Sequence, residues 1–312
     1  MRPAWSVILL TTLIGAGQGL FLALFAADLY DAARGRESLA PTFAVASAGV
    51  SLALVGAGLL ASFFHLGHPE RAWRSAAMWR TSWLSREVIA LPLFMALAFV
   101  YGVLGLAGGR GATMVGVLAL FACIALWICT AMIYTCIRFI QEWASPFTLA
   151  NFVLLSLASG TTLALVLAAF SDHTMVNPLA VMSIAFTIAA GVVRWLSIRR
   201  NARLVPRSTL QSAIGHDNPR IAQRSMGATG GTFNTREFFH GRTLAFLRSI
   251  KWTFLALAFV LPALIVFVAL ASGASGMIFL ALPLQVTGAV LERWFFFAQA
   301  NHAQNLYYQV VS

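Results

Sequence analysis

The 312-residue sequence predicts an all-α, polytopic integral membrane protein with eight transmembrane helices in one domain spanning 1–312. Three observations lead there. Only 10% of the residues are charged and 60% are hydrophobic, whereas a soluble domain carries roughly 25% charged residues. Mean hydropathy is +0.81, concentrated in eight runs of the length that crosses a bilayer, about 18 residues or more. Of the 21 Lys and Arg residues, only Arg34, Arg36 and Arg110 fall on the side opposite the N-terminus. Backbone in lipid must satisfy its own hydrogen bonds, and no run alternates polar and apolar residues as a barrel strand does, so the spans are helices.

The spans read as 5–29, 40–65, 87–107, 112–137, 147–170, 177–198, 249–271 and 276–299. The first follows only Arg2, is longer than a signal-peptide core and shows no clear cleavage site, so it reads as a retained span. The second ends at His65 in FFHLGHPERAW; its face carries Ser51, Gly58 and Ser62, small residues that admit close helix packing or a flat ligand. The third opens with Arg86 and Glu87, placing Glu87 in a first turn where the helix dipole favours an anion, with Arg86 beside it as a pairing candidate. The fourth ends with Thr130, Tyr134 and Arg138, spaced to share one helical face. It also holds all three cysteines, with Cys129 and Cys136 near one face and Cys123 turned away. The sixth ends with Arg194, and the eighth carries the adjacent Glu292 and Arg293, read as a structural ion pair.

Between spans 6 and 7, residues 199–248 form the long polar stretch, with nine arginines against Asp217 and Glu237. Its GATGGTF piece lacks the GK[ST] of a phosphate-binding loop and reads as a flexible loop. An even number of spans puts both termini on one side. The excess of basic residues assigns that side to the cytoplasm. The same rule accounts for the net charge of +11, so no nucleic-acid partner is expected; the surrounding partner is membrane lipid.

Ionisable residues within spans are functional hypotheses, and here they gather at the cytoplasmic ends. His65 and Glu87 are the sharpest. A histidine titrates near neutral pH, and a partly buried carboxylate makes a usable base. Each also has a bland role, the histidine as a helix-end cap and the glutamate as a dipole partner. Tyr134, Arg138 and Gln18 are further candidates for a pocket wall, Gln18 doubling as mid-span packing glue. Iron–sulfur clusters usually need four clustered thiolates and a b-type haem two facing histidines. This inventory supplies neither, so no cluster, haem or metal site is expected.

The stretch HLGHPERAWRSAAMWRTSWLSREV (65–88) resembles the signature between spans 2 and 3 of the membrane-anchor subunit of dimethyl sulfoxide reductase. The eight-span layout and the GAVLERWFF segment agree with it. The resemblance implies an anchor that holds a molybdopterin catalytic subunit and an iron–sulfur subunit at the membrane and exchanges electrons with quinol or quinone, either menaquinone or ubiquinone. The family's quinol-site histidine falls on His65 and its glutamate on Glu87, with Arg86 alongside. NTREFFHGR (234–242) and NHAQNLYYQ (301–309) look closer to the branch that anchors quinone-linked sulfite dehydrogenases. The iron–sulfur partner is expected to dock on the span 2–3 connector and the 199–248 loop through Arg71, Arg74, Arg80, Arg236 and Arg242. Two other readings stand beside this one: a secondary transporter, which would place its charges near mid-membrane, and an anchor with no quinone site.

Overall fold

A computed structural model describes residues 1–35, 39–64, 66–107, 111–225 and 238–307. The fold is all-helical among these residues. Eight helices are long and apolar enough to cross a membrane. They are α1 (Trp5–Ala33), α2 (Pro41–Phe63), α3 (Trp83–Leu106), α4 (Ala112–Thr135), α5 (Pro146–Ser171), α6 (Val176–Asn201), α7 (Leu244–Ser272) and α8 (Ile278–Ala298). A 3₁₀ segment, Pro69–Ala76, links α2 to α3, and a short helix, Leu210–Ile214, lies in the polar connection after α6.

Local chemistry moves two helix ends away from the sequence reading. Ser82 caps α3 by accepting from the Ser85 N–H, so the helix begins at Trp83 and Glu87 sits in its second turn. The first-turn dipole reading of Glu87 is therefore corrected. Helix α4 closes at Thr135, so Arg138 and Cys136 lie beyond it and do not extend the Thr130–Tyr134 face. Cys136 is exposed, whereas Cys129 and Cys123 are both buried. At α5, Ser145 accepts from the Phe147 N–H and Pro146 takes the first helical position.

Helices α1 and α5 form the axis of the bundle. Each is 67% buried over its most apolar window, against 22% for α3. They meet backbone to backbone: a Cβ on Gly19 would overlap the Ser156 carbonyl, and one on Gly160 would overlap Gly19. Side-chain hydroxyls on this axis are used locally or across helices, as when Ser51 of α2 donates to the Gly17 carbonyl at 2.7 Å and Thr162 of α5 meets Ser183 of α6 at 2.7 Å. Helix α7 carries a π-helical turn, Ala256–Val260, lying against Gly288 of α8, where any side chain would strike Ala258. Gln285 of α8 serves that turn, its Nε2 reaching the Ala258 carbonyl at 3.4 Å and Thr187 Oγ1 at 3.1 Å.

The first and last helices finish together. The Met1 ammonium donates to the carbonyls of Ala298 (3.3 Å) and Ala300 (2.9 Å). The chain after α8 is tied to the long polar connection: Asn305 Nδ2 donates to the Phe238 carbonyl at 3.3 Å, and the His302 ring stacks on Phe238 with centroids 4.0 Å apart.

Candidate functional site

The start of α3, the end of α2, the 3₁₀ connector and the N-terminal half of α1 enclose an apolar cavity of about 280 Å³. Its walls include Leu10 and Ile14 of α1, Leu59 and Phe63 of α2, Trp73 of the connector and Leu91 of α3. This approaches the size of small-molecule sites, roughly 300–1,000 Å³. Pro92, inside α3, lines the cavity on that side. Among these residues one ionisable side chain faces the cavity, Glu87.

Glu87 also borders a second space. A recess of about 10 Å³, the size of one water molecule, lies between α1, α3, α4 and α5. Its polar walls are Thr11, Gln18, Glu87, Trp127, Thr130 and Ser156. Thr130 Oγ1 donates a short hydrogen bond to Glu87 Oε1. Gln18, 2% exposed, turns its amide to α4, donating to the Cys123 carbonyl at 3.2 Å and approaching Cys123 Sγ at 3.5 Å. The Trp127 indole N–H is buried there with no partner among the described residues. Glu87 thus stands between a greasy chamber and a polar interior, about one helical turn, or 6 Å, inside the start of α3.

The sequence candidates divide on this geometry. Glu87 and Gln18 come together around the recess. His65 lies outside the described residues; Phe63 and Leu66, on either side of it in the chain, both line the cavity. Arg86 does not line the cavity and does not pair with Glu87. Its Nε and Nη2 donate to the carbonyls of Trp79 (2.8 Å) and Arg80 (2.7 Å), and its guanidinium lies 4.2 Å from the Trp83 ring centroid, so it buckles the connector onto α3. Tyr134 packs in an aromatic cluster with Trp143, Phe152, Phe296 and Phe297, all with centroids within 5.7 Å. It reaches the recess only through Phe152, which lines it. Arg138 faces a separate cleft, shared with Arg207. On the small face of α2, Gly58 lets α1 approach so closely that a Cβ would lie 2.7 Å from Ile14 Cγ1, the close packing expected of it, and Ser62 lines the cavity.

The docking candidates that are described lie at the surface. Arg71 is 58% exposed and 3.7 Å from Glu70. Arg74, Arg80 and Arg242 lie over Trp73, Trp79 and Phe246, each 5.4 Å from the ring centroid. Arg236 lies outside the described residues.

Sequence reasoning missed three polar participants in the recess, Thr11, Trp127 and Ser156. Each is a single hydroxyl or indole that does not stand out in an apolar span, and only the packing of α1, α4 and α5 directs them to one point. The Glu292–Arg293 pair expected from the sequence forms, at 3.3 Å, and Arg194 of α6, which the sequence did not connect to it, joins it at 2.7 Å, with all three side chains 1–2% exposed. Among the described residues no group of three or more His, Cys, Asp or Glu side chains is placed to hold a metal ion.

Comparison with known proteins places this architecture. Residues 1–299 match the family model described as DMSO reductase anchor subunit (DmsC). The chain is 47% identical to the C subunit of the sulfite dehydrogenase of Allochromatium vinosum, over the full length of both. It is 32% identical to anaerobic dimethyl sulfoxide reductase chain YnfH of Escherichia coli, over 45% of this chain and 51% of that one. The chain belongs to the dimethyl sulfoxide reductase anchor-subunit family, and is a multi-pass membrane protein of that kind.

Proposed function

We propose that this anchor passes electrons between the quinone pool and an iron–sulfur partner subunit of a molybdoenzyme complex, with the quinone ring held in the apolar cavity beside Glu87. The observation that carries this reading is a chamber near quinone-ring size whose mainly apolar wall contains one carboxylate. Oxidation of a bound quinol supplies two electrons and two protons. Glu87 accepts a hydroxyl proton, and Thr130 holds the carboxylate in place while it does so. Leu10, Ile14 and Leu91 clasp the ring and exclude bulk water. His65 is assigned the second ring oxygen on the family resemblance and takes the second proton. The electrons leave through the iron–sulfur partner that the family resemblance implies.

The identity to a sulfite dehydrogenase subunit over full length supports a sulfite-oxidising complex as the host. The partition of basic residues supports a cytoplasmic face for the cavity, the connector and the 199–248 loop, and therefore a cytoplasmic iron–sulfur partner. The arginine–tryptophan pairs of the connector, Arg74 with Trp73 and Arg80 with Trp79, suit such a dock, because both residue types are favoured at protein interfaces.

The test is Glu87→Gln in the assembled complex. Quinone-coupled turnover falls, whereas turnover with a soluble dye that accepts electrons from the partner subunits is unchanged. Normal quinone kinetics in this variant and in His65→Ala would overturn the site. Periplasmic activity of a reporter fused after residue 312 would overturn the orientation.

A further inference from the structure

A second cleft lies at the same end of the bundle, and the quinone reading does not use it. Its volume is about 680 Å³, and it sits where α4 ends and α5 begins. Met132, Thr135, Cys136, Arg138, Ser145 and Arg207 line it. We propose that this cleft binds the headgroup phosphate of an anionic phospholipid, whose acyl chain lies along the outer face of α4.

The charge argument comes first. Two guanidinium groups share the cleft, and neither forms an ion pair with a described carboxylate. Glu142, the nearest acidic residue in the chain to Arg138, acts on the Met1 ammonium. Arg207 is not loosely tethered. Its backbone N–H donates to Gln141 Oε1 at 3.1 Å, the Gln141 amide donates to the Val205 carbonyl at 3.2 Å, and Arg200 Nη1 grips the Gln141 carbonyl at 3.0 Å. That clamp brings a residue from the polar loop back to the membrane edge, opposite Arg138. The start of α5, with Pro146 at its first position, adds the positive end of a 26-residue helix.

The second argument selects a lipid over a dissolved anion. The exposed residues of α4 run Met114, Val117, Leu118, Phe121, Ile124 and Ile128, a stripe at helical spacing that a membrane would cover. Continued to the end of the helix, the same stripe arrives at Met132 and then Thr135, which line the cleft together with Cys136 just beyond the helix. An apolar track therefore leads directly into a site bearing two positive charges. Basic pockets at the cytoplasmic ends of membrane helices take anionic headgroups in this manner.

Cys136 supplies a reporter, because it is exposed in the cleft while Cys123 and Cys129 are buried. The full-length chain is placed in nanodiscs of phosphatidylcholine alone or with phosphatidylglycerol, and Cys136 is alkylated with an uncharged maleimide. Phosphatidylglycerol is expected to slow the wild-type reaction several-fold. In the Arg138→Gln/Arg207→Gln double variant that protection is lost, and phosphatidylglycerol binding weakens about 30-fold, the combined effect of two basic residues on an anionic headgroup. The wild-type comparison needs no variant to fold. Equal rates in the two lipids overturn the proposal, as does protection that survives in the double variant. Protection by millimolar inorganic phosphate in detergent, matching that by phosphatidylglycerol, overturns the lipid assignment in favour of a free anion. Protection that depends on the partner subunits and not on lipid overturns it in favour of an acidic protein surface.

Discussion

Glu87 and Glu292 are both carboxylates inside the bundle, near the same end of it, and their surroundings could hardly differ more. Glu292 lies between Arg194 and Arg293, at 2.7 and 3.3 Å, with all three side chains 1–2% exposed. The guanidinium groups in turn rest on aromatic faces, Arg194 near Phe254 and Phe295, Arg293 4.0 Å from the Phe152 centroid. The ring faces offset the excess positive charge of the triad. Glu292 lines neither the apolar cavity, nor the recess, nor the cleft beside Arg138. Glu87 takes its described hydrogen bond from Thr130 alone and borders two cavities. A carboxylate neutralised by two cations and sealed in protein holds helices together. A carboxylate with one neutral donor and space in front of it can exchange a proton with a ligand. Charge inside a membrane is thus not one kind of signal; its pairing and its access separate architecture from chemistry.

The contrast breaks most visibly at the triad. Glu292→Gln leaves two guanidinium groups buried without their counter-charge, and loss of one partner of a buried ion pair costs about 3–5 kcal/mol. The variant is expected to fail to accumulate, or to melt far below wild type in detergent, by fluorescence-detected chromatography. Normal stability would show that the triad is not structural.

Glu87→Gln is expected to give the opposite pattern: wild-type melting, normal assembly, and quinone-coupled turnover lowered by about 100-fold or more, the range of a lost general base. A destabilised Glu87→Gln protein would erase the distinction between the two carboxylates. Thr130→Val sharpens it further. Removing the donor leaves the carboxylate free to turn, and quinone-coupled turnover is expected to fall by about 10- to 100-fold at most, since a single hydrogen bond to a charged group is worth about 1.5–3 kcal/mol. Steady-state kinetics with quinone and with dye in parallel would separate this from a general loss of activity.

The smallest effect extends the comparison to an imidazole outside the spans. Burial against Phe238, and next the Met1 ammonium, hold His302 below its ordinary value of 6.5. Once released from Phe238, the imidazole takes up a proton more readily than when docked. Docking of the C-terminal segment is therefore full above about pH 6.5 and weakens as the pH falls below it. Hydrogen exchange of residues 238–242 is expected to rise modestly on acidification, by less than about 1 kcal/mol of opening free energy for a partly exposed group. His302→Phe should abolish that pH dependence while keeping the stack.

Much of the fold was legible in the residues. The eight spans follow from hydropathy, and each long helix overlaps its expected range, with ends displaced where Ser82 extends α3 and where α4 stops at Thr135. Arg138 was misplaced for a related reason. Its i+8 spacing from Thr130 has meaning only while the helix continues, and the chain turns between them. Gln18 and Glu87 were singled out as polar residues in apolar runs, and the structure brings both to one recess. Trp127 was invisible, because an indole in a span reads as one more apolar side chain until a neighbouring helix buries its N–H.

What the sequence determined by itself is what a bilayer dictates: helices rather than sheet, eight of them, and the two populations of charge at their ends. These follow from composition along the chain, because lipid tests each segment almost independently of the others. Which carboxylate is paired and which faces a cavity was decided only by tertiary structure. Arg194 and Glu292 are ninety-eight positions apart, and Thr130 and Glu87 forty-three. Periodicity places a residue on a face of its own helix, but the partner of that face is set by where backbones can touch, as Gly19 and Gly160 do at the crossing of α1 and α5.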